Sequence, residues 1–113
     1  MIEARIIDYL EKALGISAYA EVPEDNTGGE FLVVEKTGSA RSNYLDEATI
    51  AVQSYADSLA DAAFLNQRVK AAMLNLWTLD DVSAVRLNSD YNFTDTTTRR
   101  YRYQGVYVVT YYE

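Results

Sequence analysis

The carboxylates with the most suggestive spacing lie in Asp90-Tyr91-Asn92-Phe93-Thr94-Asp95, where oxygen-bearing side chains alternate as at the start of a calcium loop. An EF-hand also needs a glycine at its sixth position, for a sharp turn, and a bidentate glutamate at its twelfth. Those places hold Asp95 and Tyr101, so turn-forming and solvated edge residues are expected here rather than a metal site. Two adjacent acid pairs, Asp80-Asp81 and Glu24-Asp25, could serve acid–base chemistry. Adjacent residues project in different directions, however, so both pairs read as solvated loop charge. Thr37-Gly38-Ser39 lacks the lysine of a phosphate loop, and Asn92-Phe93-Thr94 is a glycosylation sequon, relevant only to a secreted chain.

The chain has no cysteine and no histidine. That excludes disulfides, zinc sites built on thiolate or imidazole, cysteine nucleophiles and His-based triads. The expectation is a non-enzyme with no catalytic residue, no cofactor and no metal. Two features remain. Five of the ten tyrosines are Tyr101, Tyr103, Tyr107, Tyr111 and Tyr112, more hydroxyls than a small core readily satisfies. The other feature is Arg99-Arg100-Tyr101-Arg102, a basic knot in a chain of net charge −7. Tyrosine and arginine are enriched at interface cores, and a positive patch suits head-to-tail contact with an acidic neighbouring copy. Arg99, Arg100, Arg102 and Tyr112 therefore form one side of a candidate interface, with Glu24 and Asp25 of the acidic 21–30 loop on the other. A solvated strand edge guarded by charge explains the same knot equally well. Reversing the three arginine charges is expected to weaken assembly with little loss of fold stability, because exposed charges contribute little.

The elements that must position these residues follow from periodicity. Val82 to Tyr112 reads as one long hairpin around Thr94 to Thr98, and its odd positions, Val85 to Phe93 and Tyr101 to Tyr111, form one face. Arg100, Arg102 and Gln104 on the even face suggest a solvated edge that becomes covered at Val106 and Val108. An isolated hairpin is marginal in water, so the upstream chain must cover it. Ile2, Ile6, Tyr9, Leu10, Ala13 and Leu14 mark an amphipathic helix over residues 2–14, with Gly15 as its C-terminal cap. A short strand, Ser17 to Val22, runs into a loop holding the single proline and a Gly-Gly pair. Strands follow at Phe31 to Thr37 and Tyr44 to Tyr55, antiparallel neighbours joined by residues 38–43. Ser58 and Asp61 resemble a capping box that opens a second helix of about twenty residues, with Leu59, Ala62, Leu65, Val69, Ala72, Met73 and Leu76 as its stripe and Trp77 anchoring its end. The order α-β-β-β-α-β-β predicts an α+β two-layer domain, with two helices on one face of a mainly antiparallel sheet. At 113 residues, 49% hydrophobic and 24% charged, residues 1–113 are expected to form a single domain.

Charge is uneven: residues 1–61 hold 12 acids against 4 bases, and residues 62–113 hold 5 acids against 6 bases. Duplex DNA is repelled by the whole, so no sequence-specific nucleic-acid partner is expected. Met1-Ile2-Glu3-Ala4-Arg5 does not look like a signal peptide, and no stretch approaches the roughly 20 apolar residues that span a bilayer. The expectation is a protein without a membrane partner, made and kept in the cytoplasm or built into something assembled there.

Several stretches, together spanning nearly the whole chain, resemble the small tail terminator proteins of long-tailed bacteriophages and prophages, also called tail completion or minor tail proteins. They are the Met1-Ile2-Glu3 helix, Val34 to Gly38, Thr49 to Ser54, and above all Arg86 to Asp95 followed by Arg100 to Gln104. The resemblance implies a ring, usually of six copies, that caps the head-proximal end of the tail tube in the virion. There it would stop tube growth and present a surface to the head–tail connector protein, after assembly in the host bacterial cytoplasm. Its partners would be further copies of itself, the tail-tube protein and the connector. Another head–tail connector or neck component is the runner-up, and a small-molecule-binding regulatory domain is the alternative from a different class.

Overall fold

The computed structural model describes residues 1–23, 28–42, 44–98 and 100–112. Helix α1 (Ile2–Leu14) buries Ile2, Ile6 and Leu10, the inward side of the expected stripe. Gly15 ends it with a φ of 67°, a left-handed conformation that resists a side chain, and its N–H returns to the Glu11 carbonyl. Strand β1 is shorter than expected, only Ala18–Tyr19, pairing in parallel with Leu32 and Val33.

Strands β2 (Phe31–Ser42) and β3 (Leu45–Ala56) form an antiparallel hairpin. The connection expected over residues 38–43 is mostly strand: beyond a bulge between Lys36 and Gly38, residues 38–42 pair with residues 45–49. Its residues are polar and largely exposed, which is why they imitate a loop. Tyr44 stands at the tip, 89% exposed and at a φ of 69°, an uncommon conformation for a bulky side chain.

Helix α2 (Leu59–Leu74) opens where the Ser58 hydroxyl accepts the Asp61 N–H at 3.1 Å, as the capping pattern anticipates. It is shorter than expected, because the chain tightens into a 3-10 turn at Leu76–Thr78. That turn buries Leu76 and leaves Trp77 58% exposed, so Leu76 is the anchor rather than Trp77.

Strands β4 (Val82–Asn92) and β5 (Tyr101–Tyr111) make the C-terminal hairpin, and the sheet order is β1-β2-β3-β5-β4. The architecture is the expected α+β domain with element order α-β-β-β-α-β-β. Strand β5 is nevertheless interior along its length, lying between β3 and β4, so Arg102 and Gln104 are not on an edge. One continuous core joins both helices to one sheet face, with Ile6, Leu10, Leu65, Val69 and Met73 against Leu32, Ile50, Val52, Tyr107 and Val109. A second cluster of Phe31, Val33, Tyr55 and Tyr19 lies on the opposite face, where no helix packs.

The expected single odd-numbered face of β4 ends at Leu87. Leu87 pairs with Tyr107, but Ser89 pairs with Val106, so a bulge inserts one extra residue at Asn88. Val85 and Leu87 face the helices before it. After it, Asp90 faces them opposite Gly105, and Tyr91 lies on the other side, opposite Gln104.

Candidate functional site

The helix-free face carries one row of side chains, from four strands and the residue that follows β4: Tyr19, Phe31, Tyr55, Arg102 and Phe93. Phe31 and Tyr55 are cross-strand partners, and so are Tyr55 and Arg102. Tyr19 meets Phe31 edge-on at 6.0 Å, and Phe31 stacks on Tyr55 at 4.5 Å with an interplanar angle of 8°. The Arg102 guanidinium lies 5.7 Å from the Tyr55 ring centre and 4.5 Å from that of Phe93, which meets Tyr91 edge-on at 5.9 Å. Aromatic pairs of this kind contribute about 0.5–1.5 kcal/mol each beyond their burial, and a cation over a ring about 0.5–2 kcal/mol.

A hydrogen-bond chain runs beside that row. Arg102 Nη1 donates to the Tyr55 hydroxyl at 2.7 Å, and Tyr55 donates to Gln53 Oε1 at 3.3 Å. Gln53 Nε2 then donates to Gln104 Oε1 at 2.9 Å, and Gln104 Nε2 to the Tyr91 hydroxyl at 2.6 Å. Arg102 Nε also donates to the Phe93 carbonyl at 2.6 Å. Gln53 and Gln104 are buried, and these bonds satisfy amides that would otherwise be costly inside. Tyr91 and Phe93 remain 42% and 39% exposed at the rim. The assembly has rigid aromatic faces and a fixed cation. Such an arrangement can contact another surface by stacking and charge.

The structure separates the expected interface residues. Arg102 is the hub of the face rather than a solvated charge. Arg100 forms an isolated bridge with Asp95, whose N–H donates to the Arg100 carbonyl at 3.3 Å. Tyr112 lies beyond the other end of β5, about 30 Å along the strand from Arg102. Its N–H donates to the Asp81 carbonyl at 2.8 Å, and its ring, 56% exposed, lines an open cleft with Met1, Arg5 and Lys36. Arg99, Glu24 and Asp25 lie outside the described residues. Of the acid pairs, Asp81 is bound to Arg5, whose hydrogen bond holds its carboxyl below the usual range.

Asp90, first residue of the calcium-like stretch, points under α2. It accepts Lys70 Nζ at 2.8 Å and Asn66 Nδ2 at 2.9 Å. The Lys70 hydrogen bond lowers its carboxyl pKa most, burial opposes this, and Asn66 adds to the lowering. A carboxyl that binds its proton less readily when folded stabilises the fold above its unfolded value, near 4, and loses that contribution as pH falls below it. Asp90→Asn is expected to cost about 1 kcal/mol at pH 7 and to flatten the loss of stability between about pH 5 and pH 2. Urea unfolding at neutral and acid pH checks both.

The chain matches no protein-family model and no curated protein. Among the functional residues that sequence reasoning missed, Tyr19, Phe31 and Tyr55 become neighbours only through strand order. Gln53 and Gln104 carry one usable signal, each being an amide beside an apolar run, Ile50 to Val52 and Gly105 to Val109.

Proposed function

We propose that this chain is a structural tail protein of a bacteriophage or prophage. In this reading it forms a ring on the head-proximal end of the tail tube, ends tube growth and joins the tail to the head–tail connector. One observation carries the reading. The two stretches in which the resemblance to tail terminators is strongest, Arg86 to Asp95 and Arg100 to Gln104, fold into the paired strands that supply Arg86, Tyr91, Phe93, Arg102 and Gln104 to the helix-free face. That face is built for contact: aromatic rims, a guanidinium hub and amides already satisfied from within. The net charge of −7 fits a ring through which DNA passes without being gripped.

Polymerising purified tail-tube protein with and without an excess of this chain tests the proposal. Shorter tubes bearing a cap at one end are expected by electron microscopy. An unchanged length distribution rejects the terminator role, and binding to the connector without any effect on tubes would assign the chain to the neck instead.

A further inference from the structure

Helix α2 is apolar on two sides. Ala62, Leu65, Val69 and Met73 are buried against the sheet, whereas Phe64, Gln67, Ala71 and Leu74 run along the opposite side at helical spacing. Phe64 is 74% exposed, Leu74 41%, and Trp77 in the following turn 58%. Together these three present roughly 350 Å² of apolar surface, close to half of the ~800 Å² that each partner contributes to a standard interface. The stripe from Phe64 to Trp77 is about 20 Å long. The exposed row from Arg86 to Phe93 on the helix-free face is about 23 Å long.

Charge matches as well as length. Asp57 and Asp61 flank the start of the stripe, and Arg68 beside its middle is tied back to the Leu14 carbonyl at 3.2 Å. The β4–β5 half of the helix-free face carries Arg86 and Arg102, with one carboxylate, Asp95, at its hairpin end opposite Arg100. The two surfaces lie on opposite sides of a two-layer domain.

We infer that the occupant of the α2 stripe is the helix-free sheet face of a second copy of this chain. Phe64, Leu74 and Trp77 of one copy pack on Tyr91, Phe93 and Arg102 of the next, with Asp61 near Arg86. The contact is heterologous, so it repeats head to tail and closes into a ring when the rotation per copy allows. It gives each sheet helices on both faces, the usual condition for strands apolar on both sides. This inference rests on the self-assembly proposed above and names its two surfaces.

The absence of cysteine permits a clean test without tube protein. Gln67→Cys and Ser89→Cys place one thiol on each surface, and a short bismaleimide is added at millimolar protein concentration. Covalent dimers are expected when the two single variants are mixed and not from either alone, with a ladder beyond dimer from the double variant. Adding Phe64→Glu or, separately, Arg86→Glu to the double variant should cut the ladder at least tenfold while far-ultraviolet circular dichroism stays unchanged. Dimers from Gln67→Cys alone as abundant as from the mixture would replace this contact with a symmetric helix–helix one. No cross-linking in any combination would overturn it. A ladder without tube capping removes the tail role and leaves the contact standing, whereas capping without a ladder does the reverse.

Discussion

Gly105→Val is expected to lower stability by about 3 kcal/mol and the melting temperature by more than about 10 °C. A Cβ at position 105 would lie 2.7 Å from the Tyr107 hydroxyl oxygen and 2.9 and 3.0 Å from two of its ring carbons. Tyr107 cannot swing aside, because its ring is fully buried in the core shared with Ile50, Val52 and the helices. Its hydroxyl finds no partner among the described residues. Tyr107→Phe therefore removes a buried, unsatisfied group and is expected to be neutral or to stabilise by up to about 1 kcal/mol. The same change should relieve part of the Gly105→Ala penalty, so the double variant is expected to lose less than the two single effects combined. Burial, with a smaller contribution from Asp90, raises the Tyr107 pKa above the ordinary tyrosine range. The folded chain keeps that proton where the unfolded chain gives it up, so stability falls as pH rises past about 10. Tyr107→Phe should weaken that alkaline loss. Thermal and urea unfolding of the four variants, at pH 7 and pH 11, measure all of these effects.

The second large effect belongs to Arg102. Arg102→Glu is expected to cost about 2–4 kcal/mol, because it removes two hydrogen bonds and two ring contacts and places a carboxylate among acceptors. Arg102→Lys should recover little, since an ammonium cannot reach the Phe93 carbonyl and the Tyr55 hydroxyl while lying flat between rings. Arg86→Glu, exposed on the same strand face, should change stability by less than about 0.5 kcal/mol. If Arg102→Glu matches Arg86→Glu in chemical unfolding, Arg102 does not hold the face together. The earlier expectation that reversing Arg102 leaves the fold untouched gives way to this one.

Why Arg102 misled is a matter of distance along the chain. Its partners Tyr55 and Phe93 are contributed by the strands on either side of β5, and local alternation does not report that β5 lies between β3 and β4. Helix α1, the inner stripe of α2 and the two strands of the C-terminal hairpin were legible because burial imposes a period on each of them. The second half of β2 was not, since its exposed hairpin end selects no apolar residues. Trp77 followed the period of α2 on paper, and a change from α to 3-10 geometry one residue earlier turned it outward. The helix-free face was legible only as an excess of tyrosine and a knot of arginine. Its members are strangers in sequence and become a site through register alone.

The extra residue at Asn88 also bears on how such a strand can change over evolutionary time. Deleting it would leave Ser89 opposite Val106, Asp90 opposite Gly105 and Tyr91 opposite Gln104, so every side chain beyond it keeps its face and only the bulge is lost. The strand can therefore shorten by one residue at this point without exchanging its two faces, whereas a deletion within the paired stretch on either side moves the residues beyond it by one place and reverses theirs.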